Sequence, residues 1–430
     1  MPLNNKVLII SPLFPPANAA DMQRVRMSLP YFAAHGWDAE VVMVHESYVD
    51  INLDALLLQS IPASIKIHKV KALKKQWTSK FGLGSIALRS LWFYRKKVNQ
   101  LLKEKKFDLV YFSTTQFPVC ILGPYWRKKF GIPYVIDMQD PWHSDYYQDK
   151  PKTQRPPKYW FSYRLNKYLE PIAMSKVCGL ISVTEAYITD LRKRYTKLSS
   201  VPYSVITFGA FIPDFQIANE NKVTSYIKKE KDKINIAYVG VAGSIMAKSL
   251  KVLFNALNHL KTNDHGLYQA FEWFFIGTSY APKGTGKNSV IQIAKQFQVD
   301  ECIHEQTNRI GYYEALRTIG DADGLLIIGS DEANYTASKT YPYIIAQKPL
   351  LAILHPGSSA INVIADCNAG EIIKLDDEFD ESYSVLRSFL IKCIEKQNPE
   401  TIWDAFKPRL AQNMAFQQCE LFNKVVLNPP

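Results

Sequence analysis

Short apolar runs alternate with longer amphipathic stretches along the whole chain, and that alternation predicts repeated strand-helix-strand units. Lys6–Ile10, Phe107–Phe112, Ile132–Asp137, Gly179–Val183, Ile234–Val239, Phe271–Ile276, Gly324–Ile328 and Leu350–Leu354 are rich in Val, Ile, Leu and Phe and mostly lack polar alternation. Such runs suit parallel strands covered on both faces. Asp38–Val44 reads as a further strand, with shorter ones at Val205-Ile206 and Gly370–Ile373. Helical periodicity marks Gln23–His35, through Val25, Leu29, Phe32 and Ala33, and Gly36 supplies its stop. Further helices are predicted up to Phe130-Gly131 and over Tyr163–Met174, Glu185–Tyr195, Leu250–Leu260, Ser289–Phe297, Tyr313–Gly320, Glu381–Lys396 and Pro408–Leu421. The expected fold class is therefore α/β, with two Rossmann-like doubly wound halves facing each other across a cleft. A length of 430 residues also exceeds what one core usually organises. The polar stretch Gln216–Asp232, with its mixed Lys and Glu, reads as the passage between halves. The expected division is 1–215, 216–400, and a helical segment 401–430 packing back toward the first domain.

The stretch Asp321–Leu354 carries the most chemistry. Its two buried strands enclose a polar loop, Ser330–Lys339, and a short helix, Thr340–Gln347. In open α/β sheets ligands bind beyond the carboxyl ends of strands, where helix N-termini offer unpaired N–H groups. Ser338 and Lys339 open this helix, so a hydroxyl, backbone donors and an ammonium form a candidate diphosphate seat. The same residues also fit an ordinary helix cap followed by a solvated lysine. Asp321-Ala-Asp323 has the spacing of a metal-binding pair, but it directly precedes a buried strand and is assigned no metal. Gly284-Thr-Gly-Lys287 lacks the first glycine and the following Ser/Thr of a phosphate loop and reads as a plain loop.

Composition narrows the classes. Hydrophobic residues at 47% and charged residues at 21% describe a globular protein, and no apolar run reaches the ~18 residues of a membrane span. Met1–Lys6 leads straight into Val7–Ile10 with neither the apolar region nor the cleavage site of a secretory signal, so a cytoplasmic location is expected. The six cysteines are scattered, without Cys-x-x-Cys pairs or His at ligand spacing, which supports neither a disulfide framework nor a zinc site. A net charge of +12 and a pI near 9.1 imply an anionic partner. Lys69–Lys106 alone carries twelve Lys or Arg interleaved with Trp77, Phe81, Trp92 and Phe93. It fits either a segment lying on an anionic membrane or a long surface helix with solvated lysines. Nucleic-acid-binding motifs are absent, so no nucleic-acid partner is expected. Gln148–Pro157, with Lys150, Lys152 and Arg155 among prolines, reads as a loop.

The opening Lys6-Val-Leu-Ile-Ile-Ser with Phe14-Pro-Pro, the helix ending His35-Gly36, and Gly131-Ile-Pro-Tyr-Val-Ile-Asp-Met-Gln-Asp-Pro-Trp142 resemble the N-terminal domain of GT-B glycosyltransferases. Ile236–Gly240, Trp273–Gly277, Arg309-Ile-Gly-Tyr-Tyr, Asp321–Leu326 and Ala337–Ile353 resemble their nucleotide-sugar domain, most closely in the glycosyltransferase 4 group of bacterial polysaccharide synthesis. The resemblance implies a metal-independent transferase without a cofactor. Its donor would be a nucleotide diphosphate sugar and its acceptor a glycan or lipid-linked saccharide; the basic face of the first half, read from its charge, adds an expected peripheral contact at the inner face of the membrane. It places Gly240, Lys248, Gly277, Arg309, Tyr335, Ser338 and Lys339 on the donor side and Asp140 near the reacting carbon. As a side chain Asp140 suits a base, an acceptor-positioning group, or a helix cap before Pro141. Arg24, after the first loop, fits an acceptor or diphosphate contact or a helix-surface position; His143 beside Trp142 reads as structural, and Asp145 lies close in sequence. The chain departs from the family pattern at Val241, where a basic residue is usual, and at Ala19-Ala20, where a glycine pair is usual. It departs again at Glu332, followed by Thr340 and Pro342 instead of the second glutamate. Those departures keep open a non-catalytic nucleotide-sugar-binding protein; a non-hydrolysing epimerase on the same fold would need a carboxylate and histidine cluster that the sequence does not show.

Overall fold

The computed structural model describes residues 5–79, 83–145, 147–148, 150–155, 159–227, 232–332 and 339–427. The chain divides into two compact units, Met1–Gly209 with Arg409–Pro430, and Ala210–Pro408.

The first unit holds β1 (Asn5–Ile10), β2 (Trp37–Val44), β3 (Lys66–Val70), β4 (Leu109–Ser113), β5 (Tyr134–Met138), β6 (Gly179–Ser182) and β7 (Tyr203–Val205). They form one parallel sheet in the order β3-β2-β1-β4-β5-β6-β7. The order reverses direction between β1 and β4, so right-handed crossovers place helix Gln23–Phe32 on one face and helices Ile86–Glu104, Leu122–Phe130 and Tyr159–Met174 on the other. Gly36 closes its helix in the left-handed conformation, with φ 77°, and a glycine meets that requirement without strain. The final helix, Ala411–Leu427, packs against Gln23–Phe32, where Phe422 meets Phe32, Trp37 and Tyr111. The indole of Trp37 donates to Asn423 Oδ1 at 2.9 Å.

The second unit holds β8 (Ile234–Val239), β9 (Phe271–Ile276), β10 (Ile303–Gln306), β11 (Gly324–Ile328), β12 (Leu350–Leu354) and β13 (Glu371–Lys374). These are also parallel, in the order β10-β9-β8-β11-β12-β13. Every residue of β11 and β12 is buried, as their unbroken apolar runs require. Both units are thus Rossmann-like α/β domains.

Among the elements that the sequence reading does not predict are one helix at the start of the second unit and two edge strands. The polar passage expected from Gln216 begins instead as a helix, Pro213–Glu220, which belongs to the second unit and packs on helix Tyr312–Asp321. Its anchor is the buried Asp214, which accepts from Tyr312 at 2.7 Å and Tyr313 at 3.1 Å. The edge strands β3 and β10 were not foreseen. Each carries a histidine paired with a glutamate on its inner neighbour, His68 with Glu40 and His304 with Glu272. Polar edge residues of this kind also discourage pairing with a further strand. All six cysteines are buried, and none is joined in a disulfide.

Candidate functional site

In the second unit the switch of strand direction falls between β8 and β11. Their ladder reaches only Ala237 and Leu325. Beyond it the strands part, and Val239 N donates to the Tyr343 hydroxyl at 2.8 Å instead of to a strand carbonyl. Tyr343 belongs to the helix Thr340–Ile345, so this bond fixes the segment that begins at Lys339. The Lys339 side chain turns inward, with Nζ donating to Tyr238 Oη at 3.0 Å and lying 4.6 Å from that ring's centre. The Tyr238 hydroxyl in turn donates to Val241 O at 2.7 Å.

Gly240 forms the floor beneath the ammonium. It has φ +149°, and a Cβ placed there would lie 1.5 Å from Lys339 Nζ. Gly240→Ala is therefore expected to strain the backbone, lower stability by about 1–3 kcal/mol and push the ammonium aside. A urea titration of the variant checks the first effect.

Gly277 follows β9 in the left-handed conformation, with φ +76°, which glycine adopts without strain, and the Arg309 backbone lies beside it. The Arg309 guanidinium lies over the exposed ring of Tyr280, 5.2 Å from its centre. Burial, and then the charge of Arg309, pull the Lys339 ammonium down to about 8. Among the described residues neither cation is ion-paired. An ammonium over the backbone of Gly240 at the switch point, with a second cation near enough to lower its proton affinity, is an arrangement that can hold an anion. The helix itself adds little, since six residues carry only a small dipole.

The other sequence candidates fall as follows. Lys248 sits exposed in the first turn of helix Ala247–Asn263, and no described contact joins it to Lys339 or Arg309. Tyr335 and Ser338 lie outside the described residues. Asp321 pairs with Arg317 at 2.9 Å, and Asp323 accepts from Asn235 N at 2.9 Å. Both therefore serve the amino-terminal end of the sheet. Among the described residues no group of three or more His, Cys, Asp or Glu is placed to hold a metal ion.

In the first unit the corresponding switch lies between β1 and β4, and a buried polar network fills its carboxyl end. Arg24, expected on a helix surface or against a ligand, is instead fully buried. Its Nε pairs with Asp137 Oδ2 at 2.7 Å, and its other nitrogens donate to the carbonyls of Ile206 and Thr207 at 2.7 and 3.3 Å. Asp137 Oδ2 also accepts from Tyr111, Ser113 and Gln139. Asp21, which the sequence reading passed over, is buried beside it. It accepts from Thr114 Oγ1 at 2.8 Å, Thr115 N at 2.9 Å and Thr115 Oγ1 at 3.2 Å, while Gln139 donates to its carbonyl. The one available signal was its place just after the loop that leaves β1.

Asp140 follows this network and opens to solvent. No helix begins at Pro141, so Asp140 caps none. Partial desolvation, and then the negative charge of Asp21, raise its carboxyl above the ordinary range. Burial likewise raises Asp21. The segment after Asp140 is tied down by the buried Glu170, which accepts from His143 N at 3.0 Å and from Tyr195 at 3.0 Å and pairs with Arg194. His143 is buried with its ring against Tyr163, 4.8 Å between centres, and Asp145 accepts from that tyrosine at 2.7 Å.

Solved structures place this architecture. Sucrose-phosphate synthase from Thermosynechococcus elongatus matches with a TM-score of 0.57 and 10% identity, over 98% of this chain and 99% of that one. The fold is GT-B. Two further GT-B structures align as fully. A glycosyltransferase from Rickettsia africae has a TM-score of 0.56 and 12% identity, over 99% of this chain and 100% of that one. A UDP-forming trehalose-phosphate synthase from Burkholderia xenovorans has 0.55 and 10%, over 98% and 99%. No family model matches the chain, and no curated protein matches it in sequence.

Proposed function

We propose that this chain is a glycosyltransferase that moves a sugar from a nucleotide diphosphate donor to a hydroxyl of a saccharide or lipid-linked saccharide. The observation that carries the reading is a pair of cations without a counter-ion among the described residues, Lys339 seated over the backbone of Gly240 and Arg309 beside Gly277 with its guanidinium over Tyr280. As the glycosidic C–O bond to the diphosphate breaks, negative charge grows on the leaving oxygen, and preorganised cations stabilise it. They meet that charge without calling on a metal. A basic residue is absent directly after Gly240, where Val241 stands, but Lys339 brings an ammonium to the same glycine from the loop after β11. In the first unit, Asp140 receives the acceptor's proton, and its raised carboxyl keeps it basic enough to do so.

The test is a thermal-shift series with nucleosides, nucleoside monophosphates, nucleoside diphosphates and diphosphate sugars. Ligand that binds only the folded chain raises Tm by mass action. A diphosphate is expected to raise it and a nucleoside not, and Lys339→Ala is expected to weaken the response by about 10–100-fold in affinity, as loss of one charged hydrogen-bond donor does. Absence of any shift with every diphosphate would overturn the proposal. Pro342, in the helix that Lys339 opens, supports a second reading of nucleotide-sugar binding without transfer. Binding without turnover over a range of acceptors would select it.

A further inference from the structure

The two units divide their charge unequally. The first carries 32 Lys or Arg against 16 Asp or Glu, and the second 20 against 24, so the whole basic excess of the chain lies on the first. Much of it gathers on the face covered by helices Ile86–Glu104, Leu122–Phe130 and Tyr159–Met174, the middle of which contacts both others. These three helices contain ten Lys or Arg and only two acidic residues, Glu104 and the buried Glu170.

Their outward side chains pair aromatic rings with cations. Trp92 is 63% exposed, and Lys96, one turn on, lies 5.5 Å from its ring centre. Arg95, on the same side of that helix, stacks 4.6 Å over Tyr125 of the middle helix, whose hydroxyl accepts from Lys129 at 3.1 Å and from Asn99 at 3.0 Å. Hydrogen bonds from Arg95 and then Lys129 pull that phenol down to about 8, a sign of concentrated positive charge. On the third helix Trp160 is 64% exposed under Arg164, and Tyr168, two turns on, is 70% exposed.

We propose that this three-helix face docks on an anionic lipid bilayer. Indole and phenol rings left in water beside cations are what the interface between headgroups and acyl chains accommodates, rings in the boundary layer and cations among phosphates. A solvated helix face presents lysines but has no reason to expose two tryptophans. The inference stands apart from the nucleotide site, and its test uses no nucleotide.

The experiment is co-sedimentation of the full chain with vesicles of phosphatidylcholine, with and without phosphatidylglycerol, across a salt series. Binding is expected only with phosphatidylglycerol and is expected to weaken with salt. The triple variant Lys96→Glu, Lys129→Glu, Arg164→Glu should lose affinity by on the order of a hundredfold. The double variant Trp92→Ala, Trp160→Ala should lose about tenfold and also lose the blue shift of tryptophan emission on binding. All five positions are surface positions, so an unchanged Tm confirms that each variant folds. No sedimentation with phosphatidylglycerol at low salt would overturn the proposal, as would binding indifferent to the triple variant. Preferential capture of an RNA or DNA oligonucleotide by this face, displacing the vesicles, would also overturn it.

Discussion

Asp140→Asn is expected to lower turnover by about 10²–10⁴-fold while leaving the nucleotide-induced rise in Tm intact. The substitution keeps shape and polarity and removes only the ability to take a proton. The pH profile carries a second signature. As the proposed base, Asp140 would act in its ionised form, so activity is expected to fall as pH drops through its carboxyl's value, which desolvation and Asp21 hold above the ordinary range. Asp21→Asn removes the like charge, and the acid limb should move to lower pH. Stability runs the other way. A carboxyl raised in the folded state contributes stability that is fully present below its unfolded value and is lost as pH rises through the raised value. At neutral pH neither variant should therefore destabilise the chain. Turnover of Asp140→Asn within a few-fold of the parent would remove Asp140 from the reaction, and an unmoved acid limb in Asp21→Asn would remove the coupling.

What the sequence disclosed follows from how each element is buried. β8, β9, β11 and β12 sit inside the second sheet, covered on both faces, and such strands announce themselves as apolar runs. β3, Lys-Ile-His-Lys-Val, and β10, Ile-His-Glu-Gln, are edges, half wet and half polar, so their sequences resemble loops. Helix Pro213–Glu220 was hidden for a related reason: it is polar on its outer side and held by Asp214, whose two tyrosine partners are 98 and 99 residues away. Family resemblance singled out Gly240, Gly277, Arg309 and Lys339, and the structure sets Lys339 against Gly240 and Arg309 beside Gly277, a geometry that the sequence did not show. That an ammonium rests on Gly240 depends on Tyr343 reaching Val239 N, a contact between positions 104 apart.

The same distance in sequence concealed the pair that organises the first unit, and breaking it should have the largest effect on stability. Asp137→Ala is expected to destabilise the unit by about 3–5 kcal/mol, because Arg24 would be left charged, buried and without its counter-ion. Arg24 and Asp137 both have side chains wholly removed from solvent, and water cannot replace the lost partner without opening the fold. The carboxylate is also the common acceptor of Tyr111, Ser113 and Gln139, so three further donors lose their partner. For a unit of this size the loss corresponds to a fall of about 6–20 °C in Tm. The chain has two units, so the measurement must separate their unfolding. Adding the nucleotide diphosphate should raise the second unit's transition and leave the first unit's, already lowered by the variant, where it is. A double variant, Arg24→Met with Asp137→Leu, removes both charges and should recover much of the loss, since an uncompensated charge costs more than an absent pair. If Asp137→Ala unfolds within about 1 kcal/mol of the parent, the pair does not hold the first unit together and the placement of Asp21 and Asp140 must rest on something else.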